Sequence, residues 1–496
     1  MALSRRAHDG RRGWPGPDPR RGHVTRLAVA AAERRADHPP LRLHPSYRHL
    51  GESVESDGPA AGRESPWFAW CALCLMVASD YKFRVRPATD TLAGGIDAYI
   101  LLEIALYALV ACYLLLRLPR LPRLQRLHPV LVLCCAYVAL LVVSVSYSPY
   151  KSLAGVRAAE TLVLLLLTAL GCAHVTIGDL HRFSHAFLVL VAGSIAFGMV
   201  HPTVTSYPLQ AGRFTWLQLH PITTGVYVGL AFVISFSYLV GYGSDWPGKR
   251  WPRWTYALLF ALTAYGLVAT RTRNAVLGAA LGALVVLWVL LRGRRVVLTL
   301  ASVAVVTMLA PLVTGSVVAY FSRGQDSAEL ATLNSRTDLW SSAITAVRAE
   351  PLFGYGLSAS RGLFLESTGL GGAHNAFINV AVDLGLLGLL VWTAWLVRLL
   401  YVIGTVDRTM TSLSRLDRAL PLGIAVLLLV HSLFSEGLGA TSNVAGDWLF
   451  FLTTWTVVLT RAQPPAGPGA TAENSSARAY WMTPVFQPSP GGLTGL

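Results

Sequence analysis

The sequence predicts an all-α polytopic membrane protein of about twelve transmembrane helices. A large extracytoplasmic loop holds a helix of its own. Three observations predict this. Only 14% of the 496 residues are charged and 53% are hydrophobic, whereas an ordinary soluble domain is about 25% charged. The apolar residues come in runs about 18 to 22 long, the length that crosses a bilayer as a helix. The arginines cap these runs or gather in residues 1–65, so the net charge of +15 fixes membrane orientation. It does not mark a nucleic-acid surface.

Residues 1–65 are rich in Arg, Pro, Gly and His and have no apolar periodicity, which predicts a disordered basic cytoplasmic tail. Arg5-Arg6 is not a twin-arginine signal, because no apolar core follows it closely. Residues 66–321 hold the first nine spans, near 66–80, 98–116, 129–147, 156–174, 184–200, 221–241, 254–270, 274–291 and 296–321. Residues 322–374 form the large outer loop, the candidate catalytic loop. Residues 375–461 hold three more spans, near 375–399, 419–434 and 446–460, and 462–496 read as a second disordered cytoplasmic tail containing the sequon at Asn474. With the N-terminus inside, "RLPRLPRLQRLH", "GKRWPR" and "RGRR" all fall on the inner side with most of the 41 Lys and Arg. The six cysteines lie inside apolar runs. Cys71-x-x-Cys74 has no second pair or nearby histidine to complete a metal or redox site, so it reads as helix packing.

Most connections are short, and a loop as long as 322–374 is functional or disordered. This one carries structural signals. Ser335-x-x-Asp338 fits a capping box. Leu339, Trp340, Ala343, Ile344 and Val347 then share one helical face, and Pro351 closes the run. Arg336 lies one turn before Trp340 on that face. "PLFGYGLSASRG" follows as a glycine-punctuated turn.

An outer face should be poor in arginine, so its arginines need reasons. They are Arg213 in "AGRFTWLQLHP", Arg271 and Arg273 in "TRTRNAVLG", and Arg323, Arg336, Arg348 and Arg361 in the large loop. One alone reads best as a side chain snorkelling to lipid phosphate. Arg273 and Arg336 on one face with His374 read as a site. The guanidinium fork matches a diphosphate bidentately and never deprotonates, so such a clamp stabilises a leaving diphosphate without a divalent metal. No Asp-x-Asp, His-Glu-x-x-His or paired outer carboxylates occur. No cofactor and no metal are expected.

"GGAHNAFINVAVDLGLLGLLVWTAWLVRLL" opens on His374 where the loop re-enters the membrane. An imidazole titrates near neutral pH and suits a general base; it also suits a helix cap. Asn375, Asn379 and Asp383 follow at four-residue steps on one helix face. They should face the bundle, locking the helix or orienting the ring, with Asp383 deeper than His374. Glu436 in "HSLFSEGLG" is a further candidate carboxylate, with a structural role as the competing reading. His431 should pack, Arg157 and Glu160 should pair, and Glu103 has no evident partner. His201 and His220 flank an outer loop, His220 being a weaker candidate for touching substrate.

"RTDLWSSAITAVRAEPLFGYG" followed by "AHNAFINVAVDLGLLGLL" resembles the core shared by the O-antigen ligase and O-antigen polymerase superfamily. "TRTRNAVLG" looks like that family's Ser-Arg-Gly segment through Arg273, and "AGRFTWLQLHPITTGV" its earlier arginine loop through Arg213. The likeness spans roughly 205–400, with Thr272 and Asn274 replacing the usual Ser and Gly. It implies a GT-C-like membrane glycosyltransferase using a polyprenyl-diphosphate-linked glycan as donor. By position, Arg273 and Arg336 would bind the diphosphate and His374 would be catalytic. The chain's own residues add Arg213 as a further diphosphate contact and Trp340, Asn375, Asp383 and Glu436 in support. The acceptor, lipid or glycan, distinguishes a ligase from a repeat-unit polymerase. A transporter or flippase of lipid-linked sugars is the alternative of another class, carried by Asp383 and Glu103.

Overall fold

The computed structural model describes residues 66–81, 95–118, 127–201, 213–215, 220–243, 251–291, 297, 315, 336–368, 371–406, 413–440 and 442–461. For 243, 336–338 and 367–368 it describes the backbone alone. The predicted tails 1–65 and 462–496, the ninth span 296–321, Ser335 of the capping box, and Arg323 lie outside the described residues, apart from positions 297 and 315.

The described residues form thirteen α-helices. In chain order they are α1 (Trp67–Asp80), α2 (Ala98–Leu115), α3 (Pro129–Ser144), α4 (Lys151–His174), α5 (Ile177–Val200), α6 (Pro221–Val240), α7 (Arg253–Ala269) and α8 (Arg273–Leu290). α9 (Arg336–Ala349) and α10 (Ala359–Thr368) follow, then α11 (Ala376–Thr405), α12 (Arg415–Ser432) and α13 (Val444–Arg461). The protein is a polytopic, all-helical membrane protein. α2, α4, α5, α6, α8 and α11 are long and apolar enough to cross a membrane by length and composition. α9 is the predicted loop helix. α10 is a second one, where the sequence predicted only a turn.

Capping explains several helix starts. Asp97 accepts the backbone N–H groups of Tyr99 and Ile100 at α2, and Thr176–Asp179 and Ser414–Asp417 form capping boxes at α5 and α12. The tightest packing is between α8 and α12, and glycines cause it. A Cβ on Gly282 would lie 2.5 Å from Gly423 O, and one on Gly278 2.9 Å from Leu427 O. Gly278-x-x-x-Gly282 is thus a small-residue seam that brings two backbones into contact, as lipid-embedded helices require. It ties the start of α8 to the end of α12. The core is aromatic: Phe183 packs at 4.9 Å from Phe451 and 5.1 Å from Trp448, ring centre to ring centre.

On α9, Leu339 and Ala343 are buried, and Val347 is half-buried. Ile344 is exposed, which corrects the predicted face; Ala346 takes its place against Leu339, Ala343 and Phe364.

Candidate functional site

α11 builds the site. Gly385 interrupts it with φ +65° and ψ −168°, a conformation that costs L side chains dearly and glycine little. Pro351–Gly356 docks into the break. Tyr355 N donates to Val382 O at 2.9 Å, Gly356 N to Asp383 O at 2.8 Å, and Leu386 N to Pro351 O at 2.8 Å. These are the groups a broken helix leaves without intrahelical partners, and the "PLFGYG" turn satisfies them. Gly356, at φ +95°, sits where a Cβ would fall 2.6 Å from Ser148 Cα.

The break folds α11 back on itself. Phe377 and Trp392 would be about 22 Å apart along a straight helix, yet their ring centres are 5.0 Å apart. A Cβ on Gly388 would fall 2.1 Å from Leu384 Cβ. Residues 386–405 therefore form a crossing arm and 376–384 a short re-entrant arm. This corrects the predicted single span 375–399. It also reverses the predicted depth: Asp383 lies at the bend, and His374 lies at the inner end of the arm.

Helix registers measure the recess. Arg418 Nη1 donates to Val406 O at 3.3 Å, setting α12 level with the far end of α11. From there the crossing arm rises about 31 Å to Gly385, while α12 rises about 22 Å to Leu433. Asn375 Nδ2 donates to Leu433 O at 3.2 Å. His374 thus stands on a floor roughly 9 Å below the Gly385 bend.

Three contacts hold the short loop that carries His374. Trp340 Nε1 donates to Ala373 O at 3.0 Å, and Ala373 N donates to Asn379 Oδ1 at 2.9 Å. Asn375 caps α11, its Oδ1 accepting Phe377 N at 2.9 Å and Ile378 N at 3.2 Å. Asp383 Oδ1 accepts Ser360 N at 2.6 Å, placing a carboxylate at the positive end of α10. The polar stripe is therefore a cap, a latch and a bend anchor.

His374 itself has φ +50°, a conformation rare outside glycine. The non-glycine residues at positive φ among those described are Arg271, Ser358, His374 and Ser442, one in each of four loops on this face of the bundle. Backbone strain of this kind gathers at functional sites. His374 Nδ1 lies 3.4 Å from Glu436 Oε2, with the two side chains 24% and 33% exposed. That is ion-pair range, and longer than an aligned hydrogen bond. Gly372 permits it, since a Cβ there would meet Glu436 Cδ at 3.2 Å. Burial works to raise the Glu436 carboxyl, but His374 beside it, and His220 beyond, hold it down at about 2.

The arginine turn between α7 and α8 stands beside this floor. Arg213 Nε donates to Thr270 O at 2.9 Å and Nη2 to Thr272 Oγ1 at 3.0 Å. Thr272 Oγ1 in turn donates to Pro221 O at 2.8 Å. Arg213 thus braces the turn that carries Arg271, which is exposed, and Arg273, which is half-buried at the first position of α8. Arg336 opens α9, which packs on α10 and α11; its side chain lies outside the described residues. His220 joins the group electrostatically. Burial lowers its pKa to about 4, with Glu436 opposing and Arg213 and His374 assisting.

The other candidates lie elsewhere. Arg157 Nη1 pairs with Glu160 Oε2 at 2.9 Å, as predicted, and reaches Glu103 at 3.9 Å. Glu160 also accepts a hydrogen bond from Ser442 Oγ, tethering the Glu436 loop to α4. His431 is buried in α12. His201 is exposed against Phe197, 4.9 Å away.

With this geometry in view, the comparisons with known proteins fall on the same region. Residues 258–393 match the O-antigen ligase family domain. The domain runs from α7 into the crossing arm and contains Arg273, Arg336, Trp340, His374, Asn375 and Asp383. Arg213, His220 and Glu436 lie outside the match, which is narrower than the likeness read over 205–400. Members of this family are glycan-transferring membrane enzymes of the ligase and polymerase superfamily of polysaccharide synthesis. The exopolysaccharide production protein ExoQ of Rhizobium meliloti (strain 1021) is 25% identical over 296 residues, covering 56% of this chain and 65% of that protein. The chain thus spans less than two thirds of that relative.

Sequence reasoning missed Gly385 and Ser442. For Gly385 a signal was present, the only glycine between Asp383 and the apolar run it opens. The partnership of Ser442 with Glu160, 282 positions apart, had none.

Proposed function

We propose that this protein transfers a glycan from a polyprenyl diphosphate carrier to an acceptor hydroxyl at the extracytoplasmic face, in the manner of an O-antigen ligase. The observation that carries this is the strained His374, turned by Nδ1 toward Glu436 on a recessed floor inside a glycan-transferring family domain. Nδ1 faces the carboxylate, so Nε2 is the nitrogen for the acceptor, and Glu436 holds the ring and stabilises its protonated form. Nε2 takes the proton from the acceptor hydroxyl. The hydroxyl oxygen bonds to the anomeric carbon, and that carbon's bond to the diphosphate breaks in the same displacement, with inversion. Arg273 and Arg336 receive the charge that grows on the leaving diphosphate. Arg213 braces the turn. The partners are the lipid-linked glycan donor, a lipid or glycan acceptor, and the membrane. No cofactor takes part, and no nucleic acid.

We take the orientation from charge alone: basic runs such as "RLPRLPRLQRLH" and "RGRR" mark the cytoplasmic side, with both termini, and His374 belongs to the other face. A second reading, extension of repeat units on the carrier, is favoured by the relative's link to exopolysaccharide production. The transporter reading loses its two supports, because Asp383 serves α10 and Glu103 lies against Arg157.

The test is reconstitution of the purified protein with a synthetic polyprenyl-diphosphate glycan and a candidate acceptor, followed by analysis of what the sugar ends on. Transfer to a second anchor is expected. Lengthened chains still on the carrier would establish the polymerase reading, and intact donor moved across the bilayer would overturn both.

A further inference from the structure

The turn at Leu352–Phe353 was expected in water, yet these two side chains are 63% and 58% exposed. An aqueous loop rarely displays adjacent large apolar residues without a partner. Their surroundings name the partner. The turn is hydrogen-bonded to the outer end of the crossing arm, Leu386 N to Pro351 O at 2.8 Å and Leu387 N to Leu352 O at 3.3 Å. Leu386, Leu387 and Leu390 on that arm are themselves exposed, as lipid-facing residues of a span are. Tyr147 Oη donates to Phe353 O at 3.0 Å, and Val143, one turn before it, is exposed as well. Three chain segments thus make one continuous apolar surface.

Depth follows from length. The crossing arm 386–405 extends about 30 Å, the thickness of the hydrocarbon core. Leu386 therefore stands at the core's edge, and the turn bonded to it stands there too. Arg348, exposed in the last turn of α9, lies one helical turn before Leu352 and can lay its guanidinium on lipid phosphate. Tyr147 adds an aromatic of the kind enriched at that depth.

We infer that the Leu352–Phe353 turn is an insertion wedge, seated among the acyl chains of the leaflet on the His374 side. Its partner is the bilayer itself. The wedge pins the turn that fills the Gly385 break, so the bilayer holds the bend from which the His374 arm descends. The inference rests on the membrane placement of the crossing arm and not on the reaction assigned to His374.

The experiment places an environment-sensitive fluorophore on Phe353→Cys and, separately, on Glu350→Cys in the full-length protein, with Cys74, Cys112 and Cys135 changed to Ser. Both are reconstituted in phosphatidylcholine vesicles with and without lipid bearing a nitroxide high on its acyl chain. The probe at 353 should emit at shorter wavelength than the probe at 350. Nitroxide lipid should quench it, and iodide should quench it several-fold less than at 350. Equal iodide quenching at both positions would put the turn in water and overturn the inference. Protection of 353 from both quenchers would overturn it as well, by showing protein cover such as a second copy of the chain. Glycan transfer is not read, so failure of the proposed reaction leaves this result standing.

Discussion

Two histidine–carboxylate pairs stand at opposite faces of the bundle, and they are built differently. His181, on α5, has Nε2 2.7 Å from Asp417 Oδ1 and Nδ1 2.7 Å from Tyr238 Oη. The side chains are 0% and 4% exposed. Asp417 also accepts Ser414 N at 2.7 Å, and its backbone carbonyl accepts Trp455 Nε1 at 3.1 Å. Both ring nitrogens of His181 are thus satisfied, inside regular helices. His374 sits on a strained loop, at 3.4 Å from a carboxylate oxygen that accepts no hydrogen bond among the described residues. A closed pair of this kind holds helices together, and an open one has capacity left for a ligand. The same residue types therefore say little until their remaining donors and acceptors are followed.

Exchanging the two histidines for alanine is the sharpest break of this comparison. His374→Ala should lower glycan transfer by about 10²–10⁴-fold with the protein still folded in the membrane. His181→Ala should instead cost about 2–5 kcal/mol of stability by stranding Asp417 and Tyr238, while folded molecules keep their turnover. Thermal unfolding in detergent and transfer per folded molecule separate the two. Stable but inactive His181→Ala would undo the distinction.

Glu436→Gln tests whether the open pair works as a unit. A ring no longer oriented should lose about 10²-fold in rate. An unchanged rate would detach Glu436 from His374.

Gly385→Ala tests the scaffold beneath the open pair. A Cβ there would meet Leu352 O at 2.3 Å at a positive φ, which should cost about 2–4 kcal/mol. Glycan transfer should fall with it, because the bend sets the arm that ends on His374. Wild-type stability and rate together would mean the fold-back is dispensable.

The smallest effect concerns His220. Its pKa is depressed to about 4, so it has lost its proton well below neutrality. His220→Gln should leave the acid limb of the pH–rate profile unmoved between about pH 5 and 8, whatever it does to the maximal rate. A shifted limb would make His220 the titrating ring.

Much of the architecture was legible in the chain, for a local reason. Apolar runs predicted eleven helices within a few residues at most ends, because a helix in lipid must satisfy its own backbone and therefore announces itself in consecutive residues. α9 was legible through its apolar spacing and Pro351, although Ile344 turned outward. Gly278-x-x-x-Gly282 was there to be read as a helix seam and was passed over. α10 was hidden by glycines on both sides.

The site was legible by halves. His374, Asn375 and Trp340 could be singled out from residue type and spacing alone, and the family domain falls on them. Their arrangement could not. "AVDLGLLGLLVW" reads as one apolar helix because glycine is ordinary in membrane helices. Only the docking of a turn from thirty residues earlier makes Gly385 a hinge. Sequence alone determined the all-helical membrane class and the residues able to do chemistry, since both depend on side-chain type and local period. Tertiary structure alone decided that His374 lies beneath Asp383, that Glu436 faces it, and that Arg213 braces a turn. Those facts arise from contacts between segments far apart in the chain, which no local pattern encodes.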